Sequence, residues 1–532
     1  MKVLLLNPPG REVYIRDYFC SKTTKSNYLF HPIDLVVLSG TLASKHTVAV
    51  IDAMVERLSP ADARERIERE APDAIVALVG SVSWDEDRAF LASLARGDRP
   101  VLAIGDVLQE ASEQRLAEEP WIAAALHDFT SDDVLRWLDG EREGLATMTV
   151  RRADARAALA ADSVAPPHEN RRARADDRPR AAGSGERARA GDLAGEVEGA
   201  HAARTGSTAS VNGTGEGRGV VVRGAGVRGV IVRGAGGARR GTFRVPTPRH
   251  ELFPRDGYRF SFARSARFAT VLTDYGCPYP CTFCVIGTLG YKARPVEDAL
   301  AEIDHVRALG IRELFVVDQT FGVNPKRALE LCAGLATRGD LSWTTFTRPD
   351  TANDELLAAM ARAGCHTVIL GIESADDARL ARYRKGYDTA AIRAGVARAK
   401  HHGLRTVGTF IIGLPEDDEA TLERTLDFAL ELGLDFMSLN MAVPRFGTPF
   451  RADALERGLA HADDLVMDQG GADAFLPTAT LTPERMLALK KRMVRRFYLR
   501  PSYLLRRLAS VRTPHELGAQ LREGLALLAR NV

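Results

Sequence analysis

Six cysteines are spread over 532 residues, and three of them, Cys277, Cys281 and Cys284, fall within eight positions. Six cysteines in a chain of this length make no disulfide framework, so the cluster asks for a different chemistry. It lies in Asp274-Tyr275-Gly276-Cys277-Pro278-Tyr279-Pro280-Cys281-Thr282-Phe283-Cys284, a CxxxCxxC spacing that puts three thiols on one loop. Three thiolates can hold three irons of a cubane iron–sulfur cluster, leaving the fourth iron without a cysteine from that loop. An open coordination position is what a catalytic metal site keeps. The alternative is a structural zinc site, which usually takes four ligands in paired spacings. No second pair is present, although His366 lies beside Cys365. Cys332 and Cys365 read as buried packing residues.

The elements that must position this loop follow from the hydrophobic pattern. Apolar runs at 269–274, 312–318, 342–347, 367–372, 405–412 and 436–442 read as strands. Amphipathic stretches near 296–309, 325–337, 353–364, 389–403 and 418–432 read as the helices between them. Six strands with right-handed crossovers predict a partial (β/α)6, TIM-like barrel over residues 246–449, open because eight repeats would be needed to close it. The cysteine loop follows the first strand, at the carboxyl end where parallel barrels carry their active sites. Residues 450–532 read as a helical subdomain.

Residues 1–148 alternate in the same way, with strands at 3–7, 47–52, 74–80 and 101–105. This predicts a doubly wound parallel sheet. Such sheets bind ligands at their strand ends, which here carry Asn7, Asp52, Gly80, Ser81, Ser83, Gly105 and Asp106. Residues 149–245 are dominated by Arg, Ala and Gly, lack aromatics until Phe243, and contain two near-copies beginning at Val221 and Ile231. That composition predicts a disordered insert or linker.

The CxxxCxxC loop, with Phe283 before its last cysteine, resembles the signature of radical S-adenosylmethionine (SAM) enzymes, and the resemblance covers about residues 250–450. It implies that Cys277, Cys281 and Cys284 ligate a 4Fe–4S cluster whose open iron chelates SAM. It also implies that one electron cleaves SAM to a 5′-deoxyadenosyl radical, and that Phe283 lies near the adenine. Asp318 and Gln319 stand where many members have a Gly-Gly-Glu motif for the methionine amine. Glu373 stands where the family contributes a carboxylate, and Gly413 where it offers backbone to adenine. Arg348 is a candidate partner for the cofactor carboxylate. Tyr383-Arg384-Lys385-Gly386 offers cations for an anionic group of the substrate.

A doubly wound domain ahead of such a barrel resembles the cobalamin-binding subgroup of this family. The Asp-x-His-x-x-Gly signature for an axial histidine is missing, so cobalamin is expected without it. Its contacts are expected from Asn7–Tyr18, Gly80–Ser83 and Gly105–Val107. The Tyr14–Cys20 stretch lies in the long first loop, where the α/β domain would meet the barrel; it reads as an interdomain packing loop, with shaping of the substrate site as the alternative. The expected activity is methylation of an unactivated carbon of a small molecule, with oxidative cyclisation or rearrangement as the alternative outcome of the same cofactors. A flavodoxin or ferredoxin would supply electrons. A non-catalytic cobalamin or iron–sulfur sensor is the alternative of another class.

Composition sets the outer limits. Net charge is +2, which gives no reason to expect a nucleic-acid partner for the whole chain. No apolar run approaches the roughly 20 residues that span a bilayer, and Met1–Leu6 is too short for a signal peptide. A cytoplasmic enzyme is the expectation.

Overall fold

Short apolar runs ending in Asn, Asp or Gly form the strands, and the charged stretches between them form the helices. The computed structural model describes residues 1–17, 20–21, 28–95, 99–152, 219–221, 230–234, 236, 240–465, 468, 476–511 and 514–531. In the first domain β1 (Lys2–Asn7), β2 (Thr47–Asp52), β3 (Ala74–Leu78), β4 (Val101–Ile104) and β5 (Ile122–Leu126) are parallel, in the order 2-1-3-4-5. Helices α1 (Ile33–Ala43), α2 (Pro60–Glu70), α3 (Trp84–Ala92), α4 (Ser112–Glu118) and α5 (Asp133–Leu138) belong to this domain. The order reverses between β1 and β3, the switch point of this kind of sheet. Strand β5 has no counterpart in the sequence reading, because its alanines lack the β-branched signal of a strand.

The segment expected to be linker contributes strands. β6 (Met148–Arg152), β7 (Gly219–Val221) and β8 (Val230–Arg233) extend the first sheet antiparallel, in the order β5-β6-β8-β7. Val220 faces Ile231 across β7 and β8. The apolar residues that open the two near-copies, with those just before them, therefore lie on paired strands, a pattern hidden by the flanking Arg and Gly. The linker expectation for 153–218 lies outside the described residues. β9 (Arg240–Thr242) joins a small separate sheet with β11 (Asp274–Gly276) and β12 (Tyr291–Ala293).

The barrel has the six expected strands and stays open. They are β10 (Ala269–Val271), β13 (Glu313–Val316), β14 (Ser342–Thr347), β15 (Cys365–Glu373), β16 (Arg405–Ile412) and β17 (Phe436–Met441), all parallel. Around them lie α6 (Val296–Ala308), α7 (Pro325–Ala336), α8 (Asp354–Arg362), α9 (Asp377–Arg382), α10 (Thr389–His401) and α11 (Glu419–Glu431). Asn324, Asn353, Asp388 and Asp418 cap α7, α8, α10 and α11 by accepting from the N3 amide, the local signal that fixes where each begins. The first strand is shorter than expected. It ends at Val271, and Asp274–Gly276 leaves the barrel for the small sheet.

The chain ends in α12 (Pro449–Glu456), α13 (Pro483–Tyr498), α14 (Pro501–Ser510) and α15 (Pro514–Asn531), each opened by a proline where its missing N–H does no harm. At the end of α13 the Tyr498 hydroxyl accepts from Met437 N at 3.0 Å and donates to Met437 O at 2.7 Å. It thereby covers part of the free edge of β17. The two domains are joined by Tyr258, whose hydroxyl donates to Asp52 at 2.8 Å. A second junction is Lys292, which pairs with Asp128 and donates to Thr130 at 2.6 Å. Among the described residues no helix is long and apolar enough to cross a membrane.

Candidate active site

The turn after β10 is tied down before the cysteines begin. Asp318 accepts from Thr273 N at 2.6 Å, from the Thr273 hydroxyl and from Asp274 N at 2.9 Å. Gly276 then takes φ +78°, and a Cβ there would run into the Gly290 carbonyl, so this close turn needs glycine. Cys277 N donates to Gly290 O at 2.7 Å, Thr282 N to Tyr383 O at 3.1 Å, and Phe450 N to Thr282 O at 3.0 Å. The loop is thus pinned by β12, by the segment after α9, and by α12.

All three cysteines line one cavity of about 690 Å³. Among the described residues no three His, Cys, Asp or Glu side chains converge so as to hold one metal ion. A cubane does not require such convergence, because each cysteine takes a different iron. Burial pushes the Cys281 and Cys284 thiols up, Cys284 to about 12 with the neighbouring cysteines adding to it, while Lys385 and Arg348 pull Cys281 the other way. Thiolates that repel one another in a buried loop are a donor set that iron would relieve. The residues fit a cluster.

The carboxylate side of the cavity is built by strain. Glu373 ends β15 at φ +64°, where the register between β15 and β16 shifts. A non-glycine residue pays about 1–3 kcal/mol for such a conformation. The kink brings Glu373 to the cavity, where it pairs with Lys385 at 2.8 Å. Burial works against the Lys385 charge, but Glu373 outweighs it and holds the ammonium well above its ordinary pKa. Gln319, Thr320 and Phe283 line the same space. Thr320 lies 3.7 Å from the Cys277 sulfur. Lys385 Nζ sits 5.6 Å from the centre of the Phe283 ring.

Three expected contacts have other work. Asp318 is fully buried and holds the turn described above rather than lining the cavity. Arg348 lines the cavity, but its fork is bidentate to Asp350, at 2.9 Å for both bonds, and its Nη2 donates to Lys385 O at 2.8 Å. Its guanidinium lies 3.6 Å from the centre of the Tyr279 ring, inside the cysteine loop, so it steadies that loop. Gly413 has φ +80°, and its N–H goes to Asp417 at 2.6 Å.

The strand ends of the first domain are filled by their own first loop. Arg16 is buried, ion-paired with Asp87 at 2.7 Å, and donates to Asn7 at 2.9 Å and Ser83 at 3.0 Å. Asn7 donates to Asp52 at 2.9 Å, Gly80 N to Asp87 at 3.0 Å, and Ser81 to Asp106 through both N and Oγ. A Cβ on Gly105 would strike the Val79 carbonyl. None of Asn7, Gly80, Ser81, Ser83 and Gly105 lines the cavity. The cobalamin contacts expected from them therefore do not fit this arrangement. The loop itself does face the barrel: Ile15 and Asp17 of the Tyr14–Cys20 stretch line the cavity, together with Ser21, Tyr28 and Phe30. Tyr18 and Phe19 lie outside the described residues. Thr320, Tyr279 and Tyr28 carried no signal in the sequence, because their places depend on folding alone.

Residues 271–429 match the family model described as the radical SAM superfamily. That stretch of the chain is similar to the superfamily. The matched stretch carries the cysteine loop and β13, β14, β15 and β16 of the barrel. An uncharacterized methyltransferase of Pyrococcus horikoshii is 33% identical over 270 residues, covering 49% of this chain and 57% of that protein. The chain spans about half the length of the curated relatives it matches. Among solved structures, the radical SAM methyltransferase TsrM of Kitasatospora setae, with cobalamin and a [4Fe–4S] cluster bound, aligns with a TM-score of 0.55 at 16% identity. The match covers 86% of this chain and 75% of that one. The cobalamin-dependent radical enzyme OxsB aligns with a TM-score of 0.60 at 14% identity, covering 99% of this chain and 72% of that one. The radical SAM fold with a preceding α/β domain is therefore shared along nearly the whole chain.

Proposed function

We propose that the chain is a cobalamin-dependent radical SAM methylase acting on an unactivated carbon of a small molecule. The observation that carries this reading is one cavity lined both by the three cysteines and by the first loop of the α/β domain. Two cofactors brought to one space from two domains is the arrangement such a reaction needs. The methyltransferase names of the similar proteins support the choice of reaction.

Cys277, Cys281 and Cys284 hold the cluster in this reading. Glu373 and Lys385, with Gln319 and Thr320, offer ionic and hydrogen-bonding groups to the amino-acid end of SAM, and Phe283 offers an apolar wall to its adenine. Ile15, Ser21, Tyr28 and Phe30 are the residues that would hold cobalamin on the side of the α/β domain. No histidine among the described residues lines the cavity. When bound, the cluster supplies the electron that cleaves SAM to a 5′-deoxyadenosyl radical, and methylcobalamin supplies the methyl group. The barrel's own contribution is a dry lumen: Phe315, Phe346 and Phe436 point into the cavity and keep water from a reactive centre. A flavodoxin or ferredoxin as electron donor and a cytoplasmic setting complete the reading.

The test is anaerobic reconstitution with iron, sulfide and cobalamin, followed by desalting and metal counts. About four irons and about one cobalt per chain are expected, with both S-adenosylhomocysteine and 5′-deoxyadenosine among the products. Four irons without cobalt would keep the radical chemistry and remove the methylcobalamin route.

A further inference from the structure

The cavity does not stop at the cysteines. It continues through the barrel lumen, past Phe346 and Phe436, to the last two helices, where Leu504 and Leu508 of α14 and Leu517 and Leu521 of α15 line it. These leucines are 47%, 62%, 39% and 56% exposed. A single exposed leucine is ordinary. Two pairs at i,i+4 spacing on adjoining helices, all facing one opening, form a contiguous apolar wall of the kind that marks a binding site. At Gly524, on the same wall, a Cβ would meet nothing within 4 Å, so the opening is roomy there. A second observation points to a ligand. Arg507 is buried and lines the cavity, its guanidinium lies 4.4 Å from the centre of the Phe436 ring, and its Nη1, 3.9 Å from the Asp435 carboxylate, makes no hydrogen bond. A buried guanidinium N–H left without an acceptor is costly, and an oxygen of a bound molecule would supply one.

We infer that the substrate is an elongated, lipid-like molecule. Its hydrocarbon body lies along the leucine wall of α14 and α15, an oxygen reaches Arg507, and its reacting end lies in the lumen towards the cysteines. This rests on the reading under Proposed function, because it takes the cavity as the place of reaction. Continuity decides the occupant: the wall is the outer end of the same space that holds the cysteine loop. Leu505 and Leu525 supply a built-in comparison. They are 68% and 67% exposed on the same two helices, yet neither lines the cavity.

The experiment measures displacement of cis-parinaric acid fluorescence by 1-octanol, 1-decanol and 1-dodecanol from the anaerobically reconstituted full chain. Affinity is expected to rise about 4-fold per methylene, the figure for burying a CH₂ group. Replacing Leu504, Leu508 and Leu521 together by Gln is expected to weaken dodecanol binding about 10-fold or more and to flatten the chain-length dependence. The Leu505→Gln, Leu525→Gln pair is expected to leave both unchanged. Arg507→Met is expected to weaken every alcohol by about the same factor, near 10-fold, without changing the slope. A flat series in the native protein would overturn the proposal. So would equal losses from the two leucine sets together with binding to phosphatidylcholine–phosphatidylglycerol vesicles, which would make the face a membrane-docking surface. A dimer in sedimentation velocity that shuts out the probe would overturn it as well. SAM cleavage measured in parallel separates the two readings. Alcohol binding without cleavage would overturn the radical reading alone, and cleavage without chain-length-dependent binding would overturn this one alone.

Discussion

Glu373 is the side chain whose placement is hardest to explain as packing. It sits at positive φ, in a register shift, and pairs with Lys385 at the wall of a cavity. An ion pair open to a cavity can exchange partners with a zwitterion, as the amino-acid end of SAM is. Glu373→Gln should therefore keep the full iron content and lose SAM affinity by about 10-fold, the scale of one charge-assisted hydrogen bond. Equilibrium dialysis with SAM beside an iron assay tests this, and unchanged affinity would remove Glu373 from the site. Asp106 makes a different prediction. Burial pushes its carboxyl up to about 6 against the hydrogen bonds from Ser81. The folded pKa is the higher one, so protonated Asp106 favours the fold. That contribution is complete below about pH 4 and is lost as the pH rises through about 6. Asp106→Asn keeps an acceptor for Ser81 N and carries no charge. It should stabilise the protein by about 1–3 kcal/mol at neutral pH and by little near pH 4. Equal melting-temperature gains at both pH values would show that desolvation of this carboxylate is not the cause.

At the scale of elements, the turn between β10 and β11 matters more than either strand. Asp318 gathers two backbone amides and a hydroxyl there, from Thr273 and Asp274, just ahead of Cys277. Asp318→Ala would leave buried donors without acceptors, at about 1–3 kcal/mol each. It should lower the melting temperature and, after desalting, retain clearly less iron, while Asp318→Asn keeps one acceptor and falls between. Full iron retention in the alanine variant would show that the turn does not govern the loop. Asp318 also shows where the sequence was legible and where it was not. The cysteine motif was readable because its three thiols lie on one loop within eight positions, so spacing alone carries it. The six barrel strands and their capped helices were readable for the same local reason. Asp318, Arg348 and Gly413 stand at the expected strand ends, yet their side chains or amides are taken by Thr273, Asp350 and Asp417. Those partners are set by packing rather than by position in a motif, and the same holds for Asn7, Gly80, Ser81 and Ser83 around Arg16.

For the whole molecule, the segment between the two domains is where composition misled most. Gly- and Arg-rich repeats read as linker, yet their apolar residues form β7 and β8 and lengthen the first sheet to eight strands. Pairing between distant copies rewards residues that no local window would assign to a strand. Residues 153–218 join β6 to β7, which flank β8 and run parallel to each other. Arg152 and Val221 face the same residue, Val230, so the two ends to be joined are about two strand spacings and two residues apart, roughly 12 Å. A flexible linker of about ten Gly and Ser residues reaches that far with slack for the crossover. Lengthening or shortening a loop changes its closure entropy by only about 0.6 kcal/mol per doubling. Replacing 153–218 by such a linker should therefore leave the melting temperature within about 3 °C of the native chain, with iron content and SAM cleavage unchanged. Native stability with lost cleavage would give those residues a part in the reaction. Loss of both would mean that they help to hold β7 and β8 against β6.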